Sequence, residues 1–189
     1  RPCMAVPALS AAGLRNRHDA IAQACDDCPE GTVRYLDLKK FYPSVHPDLA
    51  LKAWRKAADQ AEIAPRWREL GDKFIGDHAK ATAGQKPSIL TGPMFSHLIG
   101  NLVLRDIDAQ LSGLNGVKYF RYVDDITLVG RDERIRTAVK TIRSILGELG
   151  LKAHDDDSPK SLIVPCSEWV QGRHDFQDRS RSVSWKTLI

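Results

Sequence analysis

Two adjacent aspartates, Asp124 and Asp125, lie between two short apolar runs. These runs, residues 119–123 and 126–129, are rich in β-branched and aromatic residues, which is typical of β-strands. Because only two residues separate them, we predict a β-hairpin whose turn is Asp124-Asp125. Two carboxylates about 4 Å apart repel each other by roughly 4 kcal/mol at an effective dielectric constant near 20. The pair therefore indicates a site that binds a cation.

A third carboxylate, Asp37, stands near the end of another β-prone run, residues 33–38. If this strand lies beside the hairpin, three carboxylates share one site. Carboxylate oxygens are hard ligands and, together with phosphate oxygens, they suit a divalent metal ion. Taken singly, each acid is better explained as a solvated turn or a strand end, and the surrounding residues favour the shared site.

Three blocks of sequence, in this order, resemble the palm motifs of the reverse transcriptase family of polymerases. The first runs from Asp37 to Val45 (DLKKFYPSV), where an Asp precedes an aromatic pair and Pro-Ser-Val. The second, residues 90–101 (LTGPMFSHLIGN), is similar to the turn that leads into a Ser- and Asn-bearing helix, although Leu90-Thr91 replaces the frequent Pro-Gln. The third, residues 122–125 (YVDD), matches Tyr-x-Asp-Asp.

The resemblance extends beyond these blocks, over about residues 1–161. Residues 1–7 resemble a strand of the fingers, residues 18–24 resemble the helix that follows it, and residues 150–152 with Lys160 resemble the fourth palm motif. The resemblance implies an α+β fold: a ferredoxin-like polymerase palm, which is an antiparallel sheet backed by helices, with part of the fingers.

The same resemblance implies a division of the chain. We expect partial fingers at 1–30, the palm with its catalytic motifs at 31–165 and a palm-to-thumb connection at 166–189. Since the chain begins with Arg1 and the resemblance begins within the fingers, we interpret it as a fragment of a larger protein.

The resemblance also assigns roles to individual residues. The expected catalytic residues are Asp37, Asp124, Asp125 and Lys160, the lysine donating a proton to the departing pyrophosphate. The expected ligands of two Mg²⁺ ions, or of Mn²⁺ in their place, are the carboxylates of Asp37, Asp124 and Asp125 and the backbone carbonyl of Leu38. The expected nucleotide-binding residues are Leu38, Lys39, Lys40, Phe41, Tyr42, Gly92 and Arg1.

Two of these residues have a steric reason for their position. The ring of Tyr42 would lie beneath the sugar and exclude a 2′-hydroxyl, so that deoxynucleotides are selected, while Phe41 packs in the core. Gly92 would let the backbone pass close to the incoming base, where a Cβ would intrude. Backbone amides near Lys40 would face the triphosphate. For Lys39, Lys40 and Lys160, a plain solvated lysine is an equally good interpretation.

The expected function is that of an RNA-directed DNA polymerase, which adds deoxynucleotides to a primer 3′-hydroxyl by a two-metal mechanism. The blocks look closer to bacterial retron and antiphage-defence enzymes than to retroviral ones, with group II intron enzymes next. The expected partners are an RNA template, a DNA or RNA primer, deoxynucleoside triphosphates and a structured non-coding RNA. The alternatives are a template-independent or protein-primed polymerase of the abortive-infection type and a catalytically silent palm that binds nucleic acid. An RNA-dependent RNA polymerase is disfavoured by Tyr42.

Composition sets broad limits. The 189 residues, 42% of them hydrophobic, suffice for one well-buried core, and the net charge of +4 is compatible with a polyanionic partner without requiring one. No apolar run approaches the ~18 residues of a membrane span, and no secretory signal is visible. The four cysteines include a lone CxxC at 25–28 and no disulfide pattern, which favours a reduced cytoplasmic protein and disfavours zinc.

Hydrophobic periodicity predicts five helices, at 13–28, 47–59, 65–78, 93–111 and 131–149. The expected core-facing residues are Ala20, Ile21 and Ala24; Leu49, Leu51, Ala53 and Trp54; Leu98, Leu102 and Ile107; and Ile135, Ala138, Val139, Ile142, Ile145, Leu146 and Leu149. After Gly150 we expect a short strand, a solvated and mobile acidic loop (residues 155–159) and a strand at 161–164.

Some polar residues are assigned more loosely. Ser96 and Asn101 match polar family positions, or else are a cap residue and a buried amide. The basic residues Arg121, Arg134, Arg136 and Lys140 are expected to line a nucleic-acid track.

Overall fold

The computed structural model describes residues 11–82, 84 and 86–172. The proposed fingers strand with Arg1, and most of the proposed thumb connection, lie outside the described residues. The helices are α1 (Ala11–Asp26), α2 (Phe41–Ser44), α3 (Pro47–Gln60), α4 (Pro65–Ala81), α5 (Met94–Leu111), α6 (Asp132–Glu148) and α7 (Cys166–Gln171). The strands are β1 (Thr32–Asp37), β2 (Val117–Tyr122), β3 (Asp125–Gly130) and β4 (Ile163–Pro165). The protein is therefore of the α+β class.

The four strands form one antiparallel sheet in the order β2-β3-β1-β4. In the central pair, Thr32 lies opposite Gly130 and Asp37 lies opposite Asp125. The connection from β1 to β2 runs through α2–α5, and the connection from β3 to β4 runs through α6. The two middle strands, β1 and β3, thus carry two of the predicted carboxylates, Asp37 and Asp125, while Asp124 precedes β3.

Alternation along the strands divides the apolar residues between two cores. On one face lies the larger core, which includes residues of α5 and α6. The sheet contributes to it Leu36 of β1, Leu38 just after β1, and Ile126 and Leu128 of β3. On the other face, Val33, Val129 and Val164 pack with Ile21 of α1 and Trp169 of α7. Asp37 and Asp125 are the strand neighbours of Leu36 and Ile126, so their side chains lie on the opposite face of the sheet from the larger core. Helices α1 and α7 cover that face at the end far from these two acids.

The most strongly periodic segment behaves as predicted. Helix α6 buries Ile135, Ala138, Val139, Ile142 and Leu146 and leaves Ile145 and Leu149 half-buried against the same core. Gly150 follows with φ +71°, a left-handed conformation that ends the helix. Helices α3 and α4 also begin where Pro47 and Pro65 predict, because proline fits the first helical turn.

Other predictions of local structure are wrong. The hairpin turn is Val123-Asp124 rather than Asp124-Asp125, because Asp125 is already the first residue of β3 and pairs with both Tyr122 and Asp37. The predicted short strand after Gly150 is a single bridge between Leu38 and Ala153.

Two predicted core residues are exposed instead. Ala20 of α1 faces solvent, as does Leu98 of α5, which is 45% exposed. Helix α5 is apolar over most of its circumference, so periodicity alone did not identify the face that packs on the sheet. In the part of the chain that the structure describes, no helix is both long and apolar enough to cross a bilayer.

Packing between α3 and α4 predicts opposite effects for two glycines of α4. A Cβ on Gly71 would overlap the indole of Trp54, whose Nε1 donates to the Arg68 carbonyl at 3.1 Å. A Cβ on Gly76 meets no neighbouring atom within 4 Å. Gly71→Ala should therefore lower the free energy of unfolding by about 1–3 kcal/mol. Gly76→Ala should raise it by roughly 0.5–1 kcal/mol, because alanine favours the helix.

Urea denaturation of the two variants and the wild type measures this difference. Equal effects of the two substitutions would contradict the close packing of Gly71 on Trp54.

Candidate active site

The paired strands bring the three predicted carboxylates together. Asp37, the last residue of β1, lies directly opposite Asp125, the first residue of β3. Asp124 precedes it in the turn, where Val123 has φ +55°. A valine in the left-handed region is unusual, because its branched Cβ crowds the backbone there. The turn is thus held by the pairing of β2, β3 and β1 rather than by the preference of its own residues.

Both aspartates of the turn region have raised pKa values. Desolvation is the largest cause for Asp124, and the charge of Asp37 raises its pKa further. Desolvation also raises the pKa of Asp125, to about 6. The surrounding protein displaces water from its carboxyl, although part of the residue is open to solvent. The charges of Asp124 and Asp37 act in the same direction. The three acids therefore form one region of excess negative charge.

Lys160, which directly follows the acidic loop, reaches this region. Its Nζ lies 2.8 Å from Oδ2 of Asp37, and its side chain is about half exposed. The ion pair with Asp37 raises the pKa of the Lys160 ammonium, and the charges of Asp124 and Asp125 add to the effect. His154 Nε2 lies 3.4 Å from the same Asp37 oxygen. The structure thus brings Lys160 to the carboxylates.

Arg17 of α1 is a second cation near the site, and sequence reasoning missed it. Its Nη2 donates to Thr127 Oγ1 at 2.7 Å, and its guanidinium lies 5.9 Å from the centroid of the Tyr122 ring. Thr127 is two residues from Asp125 and on the same face of β3. Burial lowers the pKa of Arg17, while the charge of Asp125 raises it. In the sequence, Arg17 is simply an arginine within a predicted helix. Nothing in its neighbourhood predicts its contact with Thr127, which lies 110 residues away.

The backbone on both sides of Leu38 is bonded to residues 152–154. The Asp37 carbonyl accepts the N–H of His154 at 2.8 Å, and the Lys39 N–H donates to the Lys152 carbonyl at 2.7 Å. Successive peptide groups of a strand point to opposite edges, so the Leu38 carbonyl faces away from this segment and toward the hairpin. That edge is the one at which Asp124 lies.

Tyr42 is held firmly beside the carboxylates. Its hydroxyl lies 2.7 Å from Nδ1 of His97, and its ring also makes an edge contact with the His97 ring. Desolvation, and then the charge of Asp124, raise the pKa of Tyr42 to about 12. Phe41 is buried as predicted, but Tyr42 is buried too, because both rings pack where Gly100 of α5 has no side chain.

The lysines of the first block have separate environments. Lys39 Nζ lies 2.5 Å from Asp155 Oδ2, so this lysine binds the acidic loop. Lys40 is exposed and has φ +45°, a left-handed conformation just before α2. The structure therefore gives Lys39 a partner within the protein, whereas the Lys40 side chain points to solvent.

The acids of the acidic loop are exposed to solvent, as predicted, but ion pairs and hydrogen bonds fasten the loop to the rest of the protein. Arg34 of β1 is buried, and its Nη2 donates both to Asp156 and to Ser161 Oγ, the latter at 2.7 Å. Arg143 of α6 donates to the same Asp156 carboxylate at 2.5 Å. The two residues that Arg34 contacts lie more than 120 positions away in the sequence, so local composition could not reveal these contacts.

The second block forms the entrance to α5. Gly92 has φ +111°, which favours glycine, and among the described residues no atom beyond its two chain neighbours lies within 4 Å of a Cβ built on it. Ser96 is buried and donates to the Leu90 carbonyl at 2.5 Å, and Asn101 accepts from Arg121 at 2.8 Å. Ser96 is therefore not the cap residue of α5, since Pro93 holds that position, and Asn101 is a half-buried rather than a buried amide. Both side chains bond within the protein, while Gly92 is exposed.

Arg121 does not belong to the predicted nucleic-acid track. Arg121 is buried, and its guanidinium forms a two-pronged ion pair with Asp108 of α5, with bonds of 2.7 and 2.6 Å. It therefore links β2 to α5 and does not face a ligand. The other three proposed residues, Arg134, Arg136 and Lys140, are exposed on α6.

The set of proposed metal ligands has the chemistry that suits a hard divalent cation such as Mg²⁺. It consists of carboxylate and carbonyl oxygens. Desolvation first, and then the charges of neighbouring carboxylates, raise the pKa values of Asp124 and Asp125. Within residues 11–82, 84 and 86–172, however, no three His, Cys, Asp or Glu side chains are grouped closely enough to hold a metal ion. The Lys160 ammonium lies against Asp37 instead.

No model of a known protein family matches the sequence, and no curated protein matches it either. The chemistry of the site is therefore inferred from its own residues and their geometry.

The raised pKa of Asp125 predicts a pH-dependent cost to stability. Its ordinary value is 3.8 and its folded value is about 6, so the folded chain binds more protons between those values. The contribution of Asp125 to the free energy of unfolding should therefore fall as pH rises from about 4 to about 6. Asp125→Asn removes this titration, so its melting temperature relative to the wild type should increase over the same window, by about 1–3 °C.

Melting curves at pH 4, 5, 6 and 7 with a metal chelator measure the effect. Asp157→Asn, which alters an exposed acid of the acidic loop, is the matched control and should show no such trend. A constant difference between Asp125→Asn and the wild type would refute the electrostatic crowding of the site.

Proposed function

We propose that the chain is the catalytic palm of an RNA-directed DNA polymerase of the reverse transcriptase type. The observation that carries the proposal is the register of β1 and β3, in which Asp37 lies opposite Asp125 and beside Asp124. A nucleotidyl-transfer site needs carboxylates on rigid elements close to one another, and strands provide such positions. The three sequence blocks that resemble reverse transcriptase motifs supply the residues of this arrangement.

The connectivity supports a ferredoxin-like palm. The chain runs β1, helices, β2, β3, α6, β4, and the sheet order read from the other edge is β4-β1-β3-β2. A β-α-β-β-α-β unit with antiparallel strands is the ferredoxin-like pattern. In such a unit the two central strands are the first and the third, which here are the strands that end and begin with the acids.

The residues have distinct roles in the proposed reaction. Asp37, Asp124 and the Leu38 carbonyl would hold Mg²⁺, with Asp125 beside them, and a bound Mg²⁺ pair supplies charge neutralisation and activation of the primer hydroxyl. Lys160 is close enough to the site to hold a proton for the departing pyrophosphate. The Tyr42 ring, clamped by His97, would limit the space beneath the sugar.

The biological setting is proposed from the sequence blocks alone. Residues 41–45 and 91–96 resemble bacterial retron and antiphage-defence enzymes, which favours an RNA template and an associated structured RNA. Template-independent synthesis uses the same palm residues and is distinguished by experiment.

Removal of a carboxylate tests the proposed reaction. Asp124→Asn should lower the rate of Mg²⁺-dependent deoxynucleotide incorporation by at least about 100-fold, because a lost metal ligand removes several kcal/mol of transition-state stabilisation. Primer extension is measured with an RNA template, with a DNA template and without a template. Asp157→Asn is the control and should retain activity, since this acid is exposed on the acidic loop.

An unchanged rate in Asp124→Asn would refute the polymerase proposal. Equal incorporation with and without a template would assign the chain to the template-independent type.

The packing of Tyr42 predicts its effect on sugar selection. Tyr42→Ala opens space beside Asp124 and should increase ribonucleotide incorporation relative to deoxynucleotide incorporation by about 10-fold or more, since steric exclusion of a hydroxyl is lost. Tyr42→Phe keeps the ring and loses only the bond to His97, so it should retain the selectivity of the wild type. Competition assays with paired nucleotides measure the ratio. No increase in Tyr42→Ala would contradict the assignment of this ring as the sugar gate.

A further inference from the structure

Lys160 is paired with Asp37, one of the proposed metal ligands. Its ammonium lies 2.8 Å from Asp37 Oδ2, and it interacts electrostatically with Asp124 and Asp125 as well. An ammonium and a divalent cation cannot occupy the same space beside one carboxylate oxygen. Each also repels the other by Coulomb's law, and the repulsion is strongest in a partly desolvated site.

We propose that Lys160 is an internal counter-cation that a divalent metal ion must displace from Asp37, so that metal binding releases the lysine. This inference rests on the proposed function, because it assumes that Asp37 and Asp124 bind the metal. It adds a regulatory property to that site: the group suited to protonate the leaving pyrophosphate becomes free when the metal arrives.

The main chain around Lys160 is fixed, so the exchange involves its side chain. The Lys160 N–H donates to Ser158 Oγ at 3.3 Å, and the Ser161 N–H donates to the Ser158 carbonyl at 2.8 Å. Arg34 holds both Asp156 and Ser161 from within the sheet. The loop therefore presents Lys160 from a constant position.

The side chain has room to leave. It is 54% exposed, whereas the Asp37 side chain is only 17% exposed. An ion pair with one exposed partner contributes little net stability, because water solvates the free ammonium well. Displacement of Lys160 is therefore inexpensive, whereas the enclosed carboxylate still requires a cation.

Lys39 provides an internal comparison. It is also a lysine beside the first block and also forms an ion pair with an acid, but its partner is Asp155 of the acidic loop at 2.5 Å. Asp155 is exposed and is not among the three clustered carboxylates. Removing the Lys39 charge should therefore leave the metal site unaffected.

Titration calorimetry with Mn²⁺ alone, in the absence of nucleotide and nucleic acid, tests the exchange. Lys160→Met keeps the length of the side chain without its charge, and it should bind Mn²⁺ about 5-fold more tightly than the wild type, as loss of a partly exposed competing charge predicts. Lys160→Arg and Lys39→Met should both bind like the wild type. Melting curves without metal verify that each variant is folded.

A second readout follows the lysine itself. Acylation of Lys160 by an amine-reactive ester, measured by peptide mass spectrometry, should become faster on addition of Mn²⁺, while acylation of Lys39 should not change. Equal Mn²⁺ affinity in wild type and Lys160→Met, or tighter binding in Lys39→Met as well, would overturn the inference and leave the proposed function intact. Absence of Mn²⁺ binding in both wild type and Lys160→Met would overturn the proposed function together with it.

Discussion

The antiparallel pairing of β1 with β3 is the constraint on which the rest of the site depends. Side chains alternate along a strand, so a shift of one residue would turn every side chain of β1 to the other face. Such a shift would expose Leu36, which is paired with Ile126 in the larger core. The apolar residues therefore fix the register, and the register in turn fixes the position of Asp37 opposite Asp125. The core thus determines where the carboxylates lie, although it contains none of them.

The charge balance of the site is incomplete, which supports the proposed cation-binding role over a purely structural one. Arg17 and Lys160 both lie near Asp125 and both lower its pKa, yet the value remains raised. Desolvation and the repulsion among three carboxylates thus outweigh the attraction of two cations. A cluster selected for stability would be neutral or fully paired, since unpaired charge in a partly buried site is costly. Residual negative charge of this kind is characteristic of a site that binds a cation or stabilises a reaction.

The sequence predicts those features that depend on local periodicity. Helix α6 and the prolines that open α3 and α4 follow rules of spacing and backbone geometry that act within a few residues. The hairpin was predicted, but its turn was displaced by one residue. Aspartate tolerates the left-handed conformation better than valine, so the pattern favoured Asp124-Asp125, whereas the pairing of three strands forces Val123 into that conformation.

Features that depend on distant partners could not be predicted. Arg121 carries the same charge as a solvated arginine of a nucleic-acid track, and only its contact with Asp108 of a neighbouring helix shows that it is structural. Asp156 resembles the other acids of its loop, and only Arg34 and Arg143 distinguish it. In each case the sequence gives the ionisable group, while the tertiary structure gives the partner that decides its role.

Packing against α5 connects the proposed sugar gate to the carboxylates. Phe41 and Tyr42 follow Asp37 closely in sequence, and their rings fill the space left by the absent side chain of Gly100. His97, one turn earlier on the same helix, bonds the Tyr42 hydroxyl. Close-packed interiors transmit displacements, so a shift of α5 would move the Tyr42 ring relative to the acids. Sugar selection and metal binding in the proposed enzyme therefore share one rigid support, and a substitution that loosens α5 would disturb both.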